Sequence, residues 1–190
     1  MARSLGFANS VTGMLVRPGR TLHVWRRANL PAWRVLFGFT IPVLLGSVLL
    51  SGVAHEIIPQ DAPLKARHLP VPYAVYSGLT QLLGVLAMAA AAHYLCRMYH
   101  GASRFGSALA AVSLALVPAW LANVVAALPW PYGAYTALAL ILYSVGLLYA
   151  AFAVVLGVRS GYRFSHLFMT LAFAASVAFV FGWLGAAFLP

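Results

Sequence analysis

Three side chains that could ligate a metal lie close together in the sequence: His93, Cys96 and His100. Their spacing places them on one face of a helix, and imidazole with thiolate suits zinc, copper or haem iron. Only three candidate ligands are present, and no nearby carboxylate could orient a histidine ring. We therefore interpret these residues as structural, and we expect no metal and no cofactor.

The other residues that could do chemistry are few. Glu56 and Asp61 are the only acids, and they share a proline-rich loop with Lys65 and Arg67, where we expect them to neutralise charge at the membrane surface. The sequence has no nucleophile–base pair, phosphate loop or zinc signature, so we predict that the protein is not an enzyme. The histidines that we expect at the surface, at the boundaries of apolar segments, are His55, His68 and His166.

The composition is that of an integral membrane protein. Of the 190 residues, 63% are hydrophobic and 7% charged, and the mean hydropathy is +0.91, whereas a soluble domain has about 25% charged residues. The formal net charge is +10, but the basic residues flank apolar runs. This arrangement points to lipid headgroups rather than nucleic acid.

The apolar runs predict an all-α polytopic fold with two parts. Residues 1–31 form a basic cytoplasmic arm, either two short amphipathic helices along the headgroups or a disordered tail that only sets topology. Residues 32–190 form five transmembrane helices, because about 20 residues cross a ~30 Å hydrocarbon core. The predicted spans are residues 32–54, 73–98, 105–128, 134–158 and 166–189. The arginines predicted to lie at the membrane surface are Arg17, Arg20, Arg26, Arg27 and Arg34.

The third span carries the strongest packing signal. A stripe of small side chains, where a neighbouring backbone can approach closely, consists of Ala108, Ala111, Ala115, Ala119 and Ala122. Pro118 interrupts its hydrogen-bond ladder and, with Trp120, forms either a static kink or a hinge. These features predict a span inside a bundle. Pro42 should bend span one, and Pro129 marks a tight turn.

Polar side chains within the spans allow two interpretations. They are Gln81, Ser113, Asn123, Tyr143 and Ser144. Interhelical hydrogen bonds are the interpretation we favour, and lining of a small substrate path is the alternative. No charged residue falls near the middle of a predicted span, which disfavours proton-coupled transport.

The basic residues also predict the orientation. With five spans and a cytoplasmic N-terminus, ten of the twelve lysines and arginines lie on the cytoplasmic side, as the positive-inside rule favours. Those ten are Arg3, Arg17, Arg20, Arg26, Arg27, Arg34, Arg97, Arg104, Arg159 and Arg163. We therefore expect a multi-pass protein of the inner (plasma) membrane with its C-terminus outside.

Three tracts resemble the Yip (Ypt-interacting protein) family, in its short bacterial branch: VTGMLVRPGRTLHVW, ALAAVSLALVPAWLANVVAALP and YTALALILYSVGLLYAAF. The matching positions are Pro18, Pro118, Trp120, Leu121, Pro129, Tyr143, Leu147 and Leu148. The resemblance implies a five-helix membrane domain with a cytoplasmic N-terminus and no established reaction. Eukaryotic relatives contact Rab-type GTPases through a long N-terminal region with an acidic tract. Here that region is a short basic arm without acids, which argues against a GTPase partner.

Three functional hypotheses follow. The leading one is a non-enzymatic scaffold or accessory factor in membrane organisation or a membrane complex, whose partners are the lipid bilayer and other membrane proteins or further copies of itself. The second is a small transporter or permease, suggested by two proline-kinked helices and the polar set around Asn123. The third is an accessory subunit of a respiratory or photosynthetic assembly.

Overall fold

The computed structural model describes residues 6–57, 71–99 and 104–188, and every regular element within these ranges is helical. In chain order the elements are α1 (Phe7–Val16), α2 (Pro18–Ala28), α3 (Ala32–Val35), a π-helical turn (Leu36–Thr40), α4 (Ile41–Ile57), α5 (Val71–Met98), α6 (Phe105–Ala115), α7 (Val117–Val125), α8 (Tyr132–Val154), a 3₁₀ turn (Ser160–Tyr162) and α9 (Arg163–Phe188). Five segments are long and apolar enough to cross a bilayer, and we number them spans one to five: Ala32–Ala54, Val75–Met98, Phe105–Val125, Tyr132–Val154 and Ser160–Phe181. The predicted all-α, five-span membrane fold is confirmed.

Span three is the centre of the bundle. Its first half, α6, packs against α3, α5 and α8, and its second half, α7, packs against α4 and α8. In its apolar window 67% of the residues are buried, compared with 22–33% in the other spans. The small side chains of α6 let these neighbours come close to its backbone. The remaining span, α9, packs on the outside against α5 and α8.

Two prolines interrupt the long helices in different ways. Pro118 lies in the first turn of α7, where a missing N–H needs no helical partner. The helix of span three is interrupted at Leu116, between α6 and α7. Pro42 lies just after the π-helical turn, in which the Ile41 N–H bonds the Leu36 carbonyl five residues back. Span one therefore contains one wide helical turn beside Pro42, which the sequence pattern did not reveal.

The ends of spans four and five differ from the sequence prediction. Helix α8 ends at Val154 rather than at residue 158, and Gly157 takes a left-handed conformation with φ 69°. The apolar run continues to Val158 because the residues past the helix end, Leu156 and Val158, pack into the core. Hydropathy therefore does not mark this helix end. Span five starts correspondingly earlier than residue 166, at the 3₁₀ turn.

In the predicted turn after span three, the backbone before the turn lies very close to Gly133. Pro129 begins the segment that leads into α8, and its carbonyl accepts a bond from the Gly133 N–H. A Cβ atom at Gly133 would collide with the Leu128 carbonyl oxygen. Glycine is required there because the backbone of the turn occupies the space of a side chain.

Candidate functional site

Helices α1 and α2 form a tight antiparallel hairpin around Arg17. The Trp25 Nε1 atom donates a hydrogen bond of 3.1 Å to the Ser10 hydroxyl across the pair. A Cβ atom added to Gly13 would stand 2.5 Å from the Thr21 Oγ1 atom, so the two backbones approach where glycine leaves room. The hairpin is thus held by one buried polar contact and one glycine contact.

The hairpin packs into the helix bundle. Met14 and Leu22 are fully buried, and the Trp25 ring meets the Phe39 ring edge-on at 5.3 Å between centroids. Helix α1 contacts α6 and α7, and helix α2 contacts α6 and α8. The sequence predicted either two helices along the membrane surface or a disordered tail; in the structure both segments are helical and pack against spans three and four. The reason is that their apolar residues converge on the π-helical turn and span three, a convergence visible only in three dimensions.

Two contacts fix the depth of the hairpin. At its tip, the Leu15 carbonyl oxygen lies 3.5 Å from the Tyr143 hydroxyl, and Tyr143 is in the middle of the 23-residue helix α8. At its exit, a Cβ atom on Gly106, in the first turn of α6, would stand 2.6 Å from the Leu30 carbonyl oxygen. The 11 residues of α2 span ~16 Å, about half of a ~30 Å hydrocarbon core. The hairpin therefore reaches roughly from one end of the bundle to its middle.

The predicted surface arginines of the arm lie on the exposed side of this hairpin. We define the basic face as the exposed residues Arg17, Arg20, His23, Arg26 and Arg27. Leu22 and Trp25 form the buried side of the same helix. Arg34 is also exposed, with its guanidinium 5.1 Å from the Trp33 ring centroid.

Further arginines mark one end of the bundle. We define the basic end as the end where α3 and α6 begin and α5 and α8 finish, with the exposed residues Arg34, Arg97, Arg104 and Arg159.

The only acid within residues 6–57, 71–99 and 104–188 is Glu56, whose backbone belongs to the last turns of α4, at the opposite end of span one. A cation at the bilayer centre costs about 3 kcal/mol on insertion scales, so Arg17 at the tip needs an anion or water.

Polar side chains inside the spans mostly contact neighbouring helices. Thr40 Oγ1 and Ser113 Oγ lie 2.8 Å apart in a buried hydrogen bond that joins the π-helical turn to α6. Asn123 Nδ2 donates to Gln81 Oε1 at 3.4 Å, and Ser51 Oγ donates to the Asn123 carbonyl at 3.0 Å. Within the described ranges, the buried Ser144 hydroxyl makes no such bond.

The predicted alanine stripe lies in the core. Ala108, Ala111 and Ala115 are fully buried and Ala122 is nearly so, while Ala119 is half-buried. Beside the stripe, Pro118 and Trp120 are also buried. These residues hold span three against its neighbours and leave no exposed group for chemistry there.

The three candidate metal ligands do not converge on a site that the structure describes. The His93 ring meets the Phe105 ring edge-on at 6.2 Å, whereas Cys96 is buried with its sulfur 3.5 Å from the Leu156 carbonyl oxygen. His100 lies outside the described residues. Among the residues that are described, no group of three histidine, cysteine or acidic side chains could hold a metal ion.

The prediction that His166 lies at the surface is wrong. Its side chain is fully buried, Nε2 lies 3.0 Å from the Ala92 carbonyl oxygen, and the Phe152 ring packs edge-on at 4.6 Å. The prediction failed because span five begins earlier than expected, which places His166 within the helix and against α5. The loop residues Asp61, Lys65, Arg67 and His68 lie outside the described residues.

Several contacts that define the hairpin were missed by sequence reasoning. Ser10, Trp25 and Phe39 meet in three dimensions, but they belong to three different elements. The available signal was a tryptophan in an otherwise basic helix, since a residue of that size normally buries most of its surface.

The fold defines the class of this molecule as a polytopic α-helical membrane protein with five spans and an inserted N-terminal hairpin. The chain belongs to the Yip1 domain family, whose model matches residues 12–188, and this match confirms the resemblance seen in the sequence. Neither the curated proteins nor the solved structures gave a match to this chain.

Proposed function

We propose that this protein is a non-enzymatic scaffold or accessory factor that associates with copies of itself or with other membrane proteins. The observation that carries the proposal is one exposed face of α8, on which the small residues Thr136, Ala139 and Gly146 flank the larger Tyr143 at helical spacing. A Cβ atom added to Gly146 would meet nothing within 4 Å. The part of the protein that the structure describes therefore leaves this space open.

Such a face suits contact with another helix. In lipid, helices associate through close backbone approach and hydrogen bonds, because burial of apolar surface gives no gain there. The exposed side of α9 also has small residues, but the bulky rings of Phe168, Phe173 and Phe179 stand among them, and such rings suit acyl chains. The small face of α8 is consequently the better candidate for a protein contact.

The experiment compares Gly146→Leu with Ala172→Leu, a matched enlargement on the exposed side of α9. Membranes are cross-linked, extracted in mild detergent, and the co-purified proteins and the oligomeric state are measured by mass spectrometry. We expect Gly146→Leu to remove a specific complex and Ala172→Leu to keep it. A lone monomer in the unaltered protein, or equal complexes in both variants, would contradict the proposal.

We also propose that the basic end is cytoplasmic, with Met1 inside and Pro190 outside a bacterial plasma membrane. The exposed arginines of the basic end support this orientation under the positive-inside rule. Cys96, the single cysteine, is buried, so Cys96→Ala gives a clean background for cysteines introduced at each terminus. An impermeant maleimide added to intact cells should label only the C-terminal cysteine, and labelling of both would contradict the topology.

A small transporter is the second candidate, because the exposed Asn123 and the half-buried Gln81 and Ser51 form a polar cluster between α4, α5 and α7. Reconstituted vesicles test it through solute flux with the unaltered protein and Asn123→Leu. Flux that the substitution abolishes would favour transport over the scaffold role.

A further inference from the structure

We infer that the basic face of the hairpin binds the phosphate headgroup of an anionic phospholipid and holds it below the bilayer surface. The inference goes beyond the proposed scaffold role and does not depend on it. The basic face uses the exposed side of α2, whereas the proposed protein contact uses α8.

The first step is that the basic face is fixed in position. Leu22 is fully buried and Trp25 is 5% exposed, so the reverse side of α2 is packed against the bundle. The tip lies beside Tyr143 in the middle of α8, and the exit lies beside Gly106 at the start of α6. Helix α2 therefore presents its cations from a packed helix that extends from the exit of the hairpin to its tip.

The second step is the arrangement of the cations along the helix. Arg20, His23 and Arg27 follow at three- and four-residue spacing, so they share one stripe. At 1.5 Å per residue, Arg20 lies ~10 Å deeper than Arg27. The stripe thus forms a series of donors from the exit of the hairpin toward the middle of the bundle.

The third step concerns the missing counter-charge. The sequence has twelve basic residues and two acids, and the only acid within the described ranges, Glu56, belongs to the last turns of α4, at the opposite end of span one. We therefore expect the anion that pairs with the basic face to come from outside the chain. Guanidinium groups bind phosphate oxygens in pairs, and anionic lipids are the abundant source of phosphate in a membrane.

The fourth step distinguishes a lipid from a free phosphate ion. Beside Arg17 at the tip, the apolar side chain of Val16 is 75% exposed. Apolar side chains next to deep cations suit a molecule with a phosphate and acyl chains. A soluble ion gains nothing from that apolar surface.

The test measures thermal unfolding of the full-length protein in neutral detergent with added phosphatidylglycerol, phosphatidylcholine or water-soluble glycerol phosphate. The main variant is Arg20→Gln/Arg27→Gln. Its matched control is Arg97→Gln/Arg159→Gln, which removes the same charge from exposed positions on the basic end. The circular dichroism spectrum and the tryptophan fluorescence check that each variant is folded.

We expect phosphatidylglycerol to stabilise the unaltered protein and the control, and phosphatidylcholine and glycerol phosphate to have little effect. The main variant should need roughly thirty times more phosphatidylglycerol for the same shift, since each arginine near anionic lipid contributes about a factor of five. Equal losses in the two double variants would overturn the inference, because the attraction would then be unspecific. Equal stabilisation by glycerol phosphate would also overturn it, since the ligand would then be a soluble anion. If the main variant does not fold, Arg20→Lys/Arg27→Lys replaces it. This variant keeps the charge but loses the paired hydrogen bonds of the guanidinium groups, so it should weaken phosphatidylglycerol binding by less than about thirtyfold. Unchanged binding in the lysine variant would overturn the inference that the guanidinium groups hold the phosphate.

Discussion

Spans three and five are nearly identical by the criteria that identify a membrane helix, yet they occupy opposite positions in the molecule. They contain 21 and 22 residues with mean hydropathies of 2.0 and 1.9. In span three 67% of the residues of the apolar window are buried, and in span five only 22%. Hydropathy therefore predicts that both helices enter the membrane and says nothing about which of them is central.

Side-chain size accounts for the difference. Span three carries Ala108, Ala111 and Ala115 on buried faces, whereas span five carries exposed Phe168 and Phe173. Lipid tails are as apolar as these rings, so exposure of phenylalanine costs nothing there. Small residues instead permit helices to approach closely, and in span three the small residues Ala108, Ala111 and Ala115 lie on faces that neighbouring helices cover.

Within span five, the comparison predicts a sharp contrast between His166 and Phe168. His166→Ala removes a fully buried ring with its contact to the Ala92 carbonyl, and large-to-small changes of this kind destabilise by about 3 kcal/mol. Phe168→Ala removes a ring that is 61% exposed and should change stability little. The buried Cys96 thiol reports unfolding in detergent through its reaction with a fluorogenic maleimide. Equal effects of the two substitutions would show that the buried start of span five is not anchored as described.

Enlarging one alanine in each span tests the size argument directly. Ala111→Leu adds three carbons at a fully buried position, which should destabilise the fold by about 2 kcal/mol through overpacking. Ala172→Leu adds the same atoms at an exposed position of α9 and should be close to neutral. The same maleimide assay measures both. If Ala111→Leu were neutral, span three would not be closely surrounded.

The glycines provide a smaller and more local test. Gly106→Ala would place a Cβ atom 2.6 Å from the Leu30 carbonyl oxygen and 2.9 Å from the Ala32 nitrogen, and we expect a destabilisation of about 1 kcal/mol. Gly84→Ala meets nothing within 4 Å and should stabilise α5 by about 0.5 kcal/mol, because alanine loses less backbone entropy. Thermal unfolding should show changes in stability of opposite sign for the two substitutions. If both changes had the same sign, the exit of the hairpin would not pack closely against α6.

The sequence contained enough information for the membrane class, the number of spans and their approximate positions. These depend on hydropathy over about 20 residues, a property of the chain alone. The central position of span three could also be anticipated, because the spacing of Ala108, Ala111 and Ala115 is a local pattern. The end of α8 could not be placed, since Leu156 and Val158 remain apolar after the helix has ended.

The hairpin and the His166 contact depend on partners that are distant in sequence. Trp25 is separated from Phe39 by a turn and a helix start, and His166 from Ala92 by more than two spans. The π-helical turn likewise shows only in the bond from Ile41 to Leu36. A basic amphipathic arm has the same one-dimensional pattern on a membrane surface and in a cleft, so only the tertiary contacts distinguish these positions.

The smallest expected effect comes from a pair of serines that differ in their partners. Ser113 in α6 shares a 2.8 Å hydrogen bond with Thr40, whereas Ser176 in α9 is exposed and donates to the Ala172 carbonyl of its own helix. Interhelical hydrogen bonds in membrane proteins average about 0.6 kcal/mol, so Ser113→Ala should cost about that amount. The Thr40 hydroxyl limits the cost further, because it also donates to the Val35 carbonyl at 3.2 Å and would keep one partner.

Ser176→Ala should leave stability unchanged, since its hydroxyl joins no second helix. Thermal unfolding of Ser113→Ala, Thr40→Val and the double variant measures the coupling between the two hydroxyls directly. A coupling near zero would mean that size alone centres span three, and a coupling near 0.6 kcal/mol would assign part of the difference between the spans to hydrogen bonding. Neither Ser113→Ala nor Thr40→Val changes the alanine stripe. This cycle therefore separates hydrogen bonding from side-chain size, two causes that the larger substitutions leave combined.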